Sequence, residues 1–324
     1  MRKIIALVAI VLAIASLTYF AACNNNKKEE PKASTNTDSI QKVIARGDYL
    51  ANHVAGCMDC HSKRDFSKYS GPAVPGTEGQ GGEAFSHDLL NAIPGVVYAS
   101  NITPDPETGI GSWSDDDILK ALTQGINKKG DTLFPIMPYA NFNHLAKSDL
   151  LGIIAYIRTL KPIKNKVPER HLMIPVSLAY PGPALQKSVD SNMAPPESDP
   201  VKYGAYLVNA ADCGTCHTPF VKGAPDFSRM FSGGNKFTLP TFKVTSSNIS
   251  PDTTTGIGSW TAERFINKFS IARDEKGYNY NPGKENTIMP VRFYSGMTDN
   301  DLAAIYRYLR TVPPIKNKVE KYPK

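Results

Sequence analysis

The chain has 324 residues, of which 41% are hydrophobic and 21% charged, a balance ordinary for a globular protein that sets aside a disordered chain. That length is enough for about two domains. The formal net charge is +7, and the excess lies in one half: 13 Lys and Arg meet 13 Asp and Glu over residues 41–167, whereas 17 meet 10 over residues 200–324. A basic face of this kind suits an acidic protein partner or an anionic lipid surface, with solubilising charge as the alternative.

Residues 1–22 read as an export signal of the lipoprotein type. Arg2 and Lys3 give it a positive start, Ile4 to Phe20 is mainly apolar, and Ala21-Ala22 stands just before Cys23. On this reading Cys23 becomes a lipidated N-terminus, which explains the odd cysteine among five. Cleavage that leaves Cys23 free and retention as a membrane anchor are the alternatives, the stretch being near the spanning minimum. All three put the body of the protein outside the cytoplasm. The lipoprotein reading anchors it to a membrane, facing the periplasm.

Residues 23–40 are polar and carry little to bury, so they are expected to form a flexible tether. A first domain is expected over 41–167. Residues 168–199 contain Pro168, Pro175, Pro181, Pro183, Pro195 and Pro196 without sustained periodicity, and read as an extended linker. A second domain is expected over 200–324.

Each domain carries one pentapeptide, Cys57-Met58-Asp59-Cys60-His61 and Cys213-Gly214-Thr215-Cys216-His217. Cysteines three residues apart share one face of a helical turn. They can form thioethers to two vinyl groups on one side of a porphyrin, with the following histidine beneath the iron. This C-x-x-C-H pattern is the attachment signature of haem c, and two copies imply two covalently attached haems. A zinc site or a redox dithiol is the alternative. However, zinc does not need a His directly after each second Cys, and no βαβ pattern surrounds either motif. Covalent attachment also requires an exported protein, in agreement with the signal.

The two halves are an internal repeat. Gly47-Asp48-Tyr49-Leu50 matches Gly204-Ala205-Tyr206-Leu207. Ser100-Asn101-Ile102-Thr103-Pro104-Asp105, leading to Trp113, matches Ser247-Asn248-Ile249-Ser250-Pro251-Asp252, leading to Trp260. Ile136-Met137-Pro138 matches Ile288-Met289-Pro290, and each half ends in Pro-Ile-Lys-Asn-Lys-Val. Each half therefore reads as a complete, self-contained haem unit. Helices are expected over 40–56, 201–212, 148–160 and 299–311. Further helix starts are expected at Ser114 and Thr261, with Gly- and Pro-rich stretches wrapping the haem edge.

For the sixth iron ligand, residues 200–324 offer no histidine besides His217, so the candidates there are Met230, Met289 and Met297. Met289 has the repeat partner Met137, and both precede proline, which favours this pair; core packing is the alternative use of a methionine. His53, His87 and His144 have no histidine counterpart in the repeat and read as surface or loop residues. Trp113 and Trp260 are candidates to donate an indole N–H to a haem propionate, or else pack in the core. Asn101, Thr103 and their partners could do similar work. Tyr49 and Tyr206 are expected to pack the first helix against the last within each half.

With both C-x-x-C-H motifs followed by Met-Pro and a closing helix, the chain resembles a dihaem class I cytochrome c. Asn101-Ile102-Thr103-Pro104-Asp105 through Trp113, and Phe134-Pro135-Ile136-Met137-Pro138-Tyr139, resemble the cytochrome c subunits of membrane-bound alcohol, aldehyde and gluconate dehydrogenases. The resemblance implies a mainly α fold with two tandem cytochrome c domains joined by the Pro-rich linker. It also implies haem on Cys57, Cys60, Cys213 and Cys216, axial ligands His61, Met137, His217 and Met289, and electron transfer as the activity. The expected partners are a dehydrogenase donor, an oxidase or cytochrome acceptor, and the membrane through a lipid anchor, with no nucleic acid. The rival is a dihaem peroxidase with one open haem; the near-identical repeat argues against it, since a peroxidase needs two unlike haems.

Overall fold

The computed structural model describes residues 34–89, 93–179 and 193–323. The expected signal segment 1–22, Cys23 and residues 180–192 of the expected linker lie outside the described residues. The described residues from Lys42 onward form one compact unit, and residues 34–41 fall outside it. Residues 34–41 are helical and residues 37–41 are exposed.

The described chain is mainly helical. In order, the helices are α1 (Ser34–Tyr49), α2 (Cys57–His61), α3 (Asp115–Gln124), α4 (Tyr139–Phe142), α5 (Lys147–Ile157), α6 (Val176–Ala179), α7 (Pro200–Ala210), α8 (Cys213–His217), α9 (Ala262–Ser270), α10 (Glu275–Tyr278), α11 (Val291–Tyr294) and α12 (Asp299–Leu309). Helix α1 begins inside the expected tether. No Gly or Pro interrupts residues 34–46, so once nucleated the helix extends through them. The expected linker also has structure: it contributes α6 and a strand, His171–Leu172, which pairs antiparallel with Gly95–Tyr98 in a small three-stranded sheet.

The expected helix starts hold. Ser114 accepts from the Asp117 N–H and Asp117 answers in a capping box, while Thr261 accepts from the Arg264 N–H. The apolar stripes of α5 and α12 bury Leu150, Ile153, Ile154 and Ile157, and Leu302, Ile305 and Leu309. The first long helix of each half crosses the last at a glycine. A Cβ on Gly47 would lie 1.8 Å from the Gly152 carbonyl oxygen, and one on Gly204 would lie 2.0 Å from that of Ala304. Only glycine permits so close a backbone approach.

One extra residue separates Tyr49 from Cys57 compared with Tyr206 from Cys213. The structure absorbs it as a π turn, Leu50–Val54, in which the Ala55 N–H reaches back to the Leu50 carbonyl at 2.7 Å. A single insertion in a helix widens one turn in this way.

The halves are not self-contained. The Tyr206 hydroxyl donates to Asp149 Oδ2 at 2.7 Å and accepts from the Ala146 N–H at 3.2 Å. Reciprocally, the Tyr49 hydroxyl donates to Asp301 Oδ2 and accepts from the Thr298 N–H at 3.1 Å. Each tyrosine hydroxyl therefore serves the N-terminus of the other half's last helix, a crossed arrangement in place of the packing within one half that the sequence led us to expect. His53, expected at the surface, belongs to the same interface. Its Nδ1 meets the Phe293 carbonyl at 3.0 Å, and Asn209 Nδ2 donates in parallel to the Asn141 carbonyl at 2.8 Å. Gly296 leaves room for the His53 ring, which would sit 2.1 Å from a Cβ. His87 and His144 are exposed.

Asp149 is only 5% exposed, and its carboxylate also takes a bidentate pair from Arg46 at 3.0 and 2.9 Å. Tyr206→Phe removes one partner from this buried charge. It is expected to cost about 1–3 kcal/mol of unfolding free energy, measured by denaturant melts of the haem-loaded protein. A loss below about 0.5 kcal/mol would show that the crossed bond carries little.

Candidate functional site

Both C-x-x-C-H motifs form a single helical turn entered through a left-handed residue. Gly56 has φ 62° ahead of α2 and Asp212 has φ 49° ahead of α8. Gly and Asp tolerate this region better than most residues. The turn directs His61 and His217 to equivalent carbonyls: His61 Nδ1 lies 2.7 Å from the Ser100 oxygen, and His217 Nδ1 lies 2.7 Å from the Ser247 oxygen. A carbonyl only accepts, so Nδ1 carries the proton and Nε2 is left as the free lone pair. Burial lowers both imidazole pKa values, and the carbonyl bond offsets this in part. Both rings are therefore held as neutral, oriented ligands.

A repeated clasp fixes those carbonyls. Asn101 Nδ2 donates to the Ile163 carbonyl, and Asn248 Nδ2 to that of Ile315, each at 2.7 Å. From the tail, Asn165 Nδ2 donates to the Gln80 carbonyl, and Asn317 Nδ2 to that of Ser232, each at 2.9 Å. The repeated Pro-Ile-Lys-Asn-Lys-Val tail thus ties down the loop that orients the histidine. Asn101 and Asn248 are buried and engaged in this clasp.

The thiols are neutral. Burial pushes Cys57, Cys213 and Cys216 up to about 12, and Cys60 higher still. A thiol held in its protonated form is a poor nucleophile. Among the described residues no group of His, Cys, Asp and Glu could hold a metal ion by itself. Two thiols on one turn and a neutral histidine with a free Nε2 fit a covalently attached porphyrin instead.

The two motifs are neighbours. Cys216 contributes to the field raising the Cys60 thiol, and Asp59 to that raising Cys216. Tyr294, which the sequence reading missed, lies beside both. Cys213, Cys216 and Asp59 all act on its hydroxyl, which donates to the Ala211 carbonyl at 2.7 Å. Its only sequence signal is its place five residues after Met289.

Met137 and Met289 are both half-buried and pack against the main core, as do Cys57, Cys213, Trp113 and Trp260. Each is followed by the proline that starts a short helix, α4 or α11. Met297 is 2% exposed within the core, whereas Met230 is 36% exposed beside Gly214. Trp260 is flanked by two cations, with Arg264 4.6 Å and Lys268 5.6 Å from its ring centre.

Asp212 is raised to about 6 by burial, against bonds from Thr215 and Asn141 that favour its charge. A carboxyl whose folded pKa exceeds its unfolded value near 3.8 favours the folded state as it takes up a proton. Its contribution should therefore improve as pH falls from about 6 toward 4. Asp212→Asn keeps both acceptor contacts and removes the charge. The variant should be more stable than the parent at pH 8 and converge with it at pH 4, as read by thermal melts. A gap that does not shrink toward pH 4 would contradict this origin.

A cytochrome c family model matches residues 201–313. The chain is 29% identical over 293 residues to the cytochrome c subunit of a quinone alcohol dehydrogenase from Gluconobacter oxydans, covering 86% of this chain and 56% of that one. It is 28% identical over 282 residues to the gluconate 2-dehydrogenase cytochrome c subunit of Pantoea cypripedii, covering 83% and 59%. The chain thus spans little more than half the length of these dehydrogenase subunits. The match to a dihaem c-type cytochrome of Cereibacter sphaeroides is fuller: 30% identity over 272 residues, covering 81% of this chain and 83% of the relative. The peroxidase alternative finds no support among these relatives. A correspondence that runs through most of both chains, together with the attachment turns, makes this protein a member of the cytochrome c family, with haem c bound covalently.

Proposed function

We propose that this protein is a dihaem electron carrier rather than a catalyst, passing electrons from a membrane or periplasmic dehydrogenase to a respiratory acceptor. Cys57 and Cys60 attach one haem, with His61 and Met137 as axial ligands. Cys213 and Cys216 attach the other, with His217 and Met289. Two cytochrome c units, residues 41–167 and 200–324, are joined by the Pro-rich segment 168–199. When bound, haem c supplies a one-electron iron couple, and His/Met ligation gives it a raised potential with no vacant position for substrate.

The adjacency of Cys60 and Cys216 within one compact unit carries this reading. It brings the two attachment turns together, as a relay between two redox centres requires. The chain's own residues orient each imidazole through the Ser100 and Ser247 carbonyls. Trp113 and Trp260 are propionate contacts in this scheme, and the cations beside Trp260 add charge of the right sign. The names of the dehydrogenase subunits support a dehydrogenase as donor. Residues 1–23 support export, lipidation at Cys23 and a periplasm-facing membrane location. Among the described residues, no helix is long and apolar enough to cross a membrane.

Met137→Ala and Met289→Ala should each remove one Met–iron charge-transfer band from the optical spectrum and open one haem to carbon monoxide. Met230→Leu and Met297→Leu should leave both haems unchanged. Full band intensity in both alanine variants would reject the ligand assignment, and a mass corresponding to a single attached haem would reject the dihaem reading.

Lys316 and Lys318 are exposed in the basic half. Reversing both to Glu should slow association with an acidic redox partner by about tenfold at low salt. The difference should shrink as the screening length falls to about 8 Å at physiological ionic strength. Stopped-flow rates unaffected by either change would leave these lysines a solubilising role.

A further inference from the structure

A loop of the first half carries a buried hydroxyl into the segment that holds Met289. Ser70 is 0% exposed, and its Oγ donates to the Met289 carbonyl at 2.7 Å while accepting from the Arg292 N–H at 3.2 Å. Arg292 lies in the first turn of α11, whose N-cap is Pro290 and whose start has no side-chain cap from its own neighbourhood. Such N–H groups need an outside acceptor. Ser70 supplies it from the other half of the molecule.

The rest of the loop is braced for this task. The Ser70 N–H donates to Asn286 Oδ1 at 2.9 Å, and Arg64 Nη2 donates to the Ser70 carbonyl at 2.6 Å. Asn286 is 1% exposed, and its Nδ2 donates to the Phe66 and Lys68 carbonyls at 2.9 and 3.1 Å. The Met289 N–H is held in turn by Thr287 Oγ1 at 3.0 Å. The Met289 carbonyl also accepts from the Val291 N–H at 2.7 Å, so both backbone polar groups of Met289 are held within its own half, and Ser70 adds a further bond to the carbonyl from the other half. Ser70 itself has φ 61°, the left-handed region that strains a non-glycine residue. Glycine would be the relaxed choice there, and it lacks the hydroxyl. In the first half the matching Met137 carbonyl accepts from the Tyr139 N–H at 2.8 Å, and among the described residues no side chain of the second half bonds to Met137.

We propose that Ser70 is a positioning residue for Met289. It fixes the backbone from which the thioether projects, so that the first half sets how firmly the second half's distal ligand is held. This rests on the reading of Met289 as an iron ligand. One consequence is that the two haems, though built by a repeat, differ in how readily an exogenous ligand displaces their methionine.

The test is an imidazole titration of the ferric, haem-loaded protein, followed at the Met–iron charge-transfer band. Ser70→Gly removes the hydroxyl and relaxes the backbone. Ser70→Ala removes the hydroxyl and keeps the strain. Both should raise the imidazole affinity of one haem by about three- to tenfold, the range set by one neutral hydrogen bond, and leave the other haem unchanged. Met289→Ala identifies the haem concerned by abolishing its band. If Met289→Ala leaves both bands intact, the ligand reading fails. If it removes one band while neither Ser70 variant changes imidazole affinity at that haem, the positioning role is overturned. An equal rise at both haems would mark general loosening and overturn it as well.

Discussion

The crossed exchange between Tyr49 and Asp301, and between Tyr206 and Asp149, is the contact on which the arrangement of the two halves depends. Each hydroxyl joins the first helix of one half to the start of the last helix of the other. Those last helices already pack on their own first helices at Gly47 and Gly204. The four long helices therefore cannot move independently. The interaction is reciprocal, as expected of an isologous interface between two copies of one fold, except that here the copies share a chain. Burial makes it consequential: a polar side chain removed from water must keep its hydrogen-bond partners or destabilise the fold, and Asp149 and Asp301 are 5% and 4% exposed.

A second chain of interactions runs from the end of each half to its histidine. The tail asparagine secures the glycine-rich loop, the loop asparagine secures the tail, and the serine carbonyl next to it receives the imidazole proton. This outer arrangement decides which ring nitrogen is free. It also explains why a motif so far from the cysteines recurs at the end of both halves.

The repeat is broken where the halves interlock. The first half's loop around Ser70 and the second half's stretch through Asn286 meet on one side of the interface, and Tyr69 stacks on Tyr280 with ring centres 5.3 Å apart. The hairpin that opens this loop spans Arg64 to Ala73 in the first half, whereas its counterpart spans only Phe220 to Pro225. Two equivalent attachment turns consequently sit in unequal surroundings.

The local arrangement of the cysteine–histidine turns was legible in the residues themselves. C-x-x-C-H fixes five positions within one turn, so the local chain alone places two thiols and an imidazole together. The helix starts at Ser114 and Thr261 were equally local, because a cap involves groups three residues apart. The pairing of Met137 with Met289 followed from the repeat. What only the tertiary structure decided involves partners from 57 to 252 residues apart: the destination of the Tyr49 and Tyr206 hydroxyls, the contact of the His53 ring with the Phe293 carbonyl, and the entry of Ser70 beside Met289. Sequence comparison of the halves suggested two separate units, because a repeat records what each half has in common. It carries no record of the face each half turns to the other. The π turn before Cys57 brings His53 to that face and the longer hairpin brings Ser70 to it, consequences that emerge only when helices of fixed geometry are packed together.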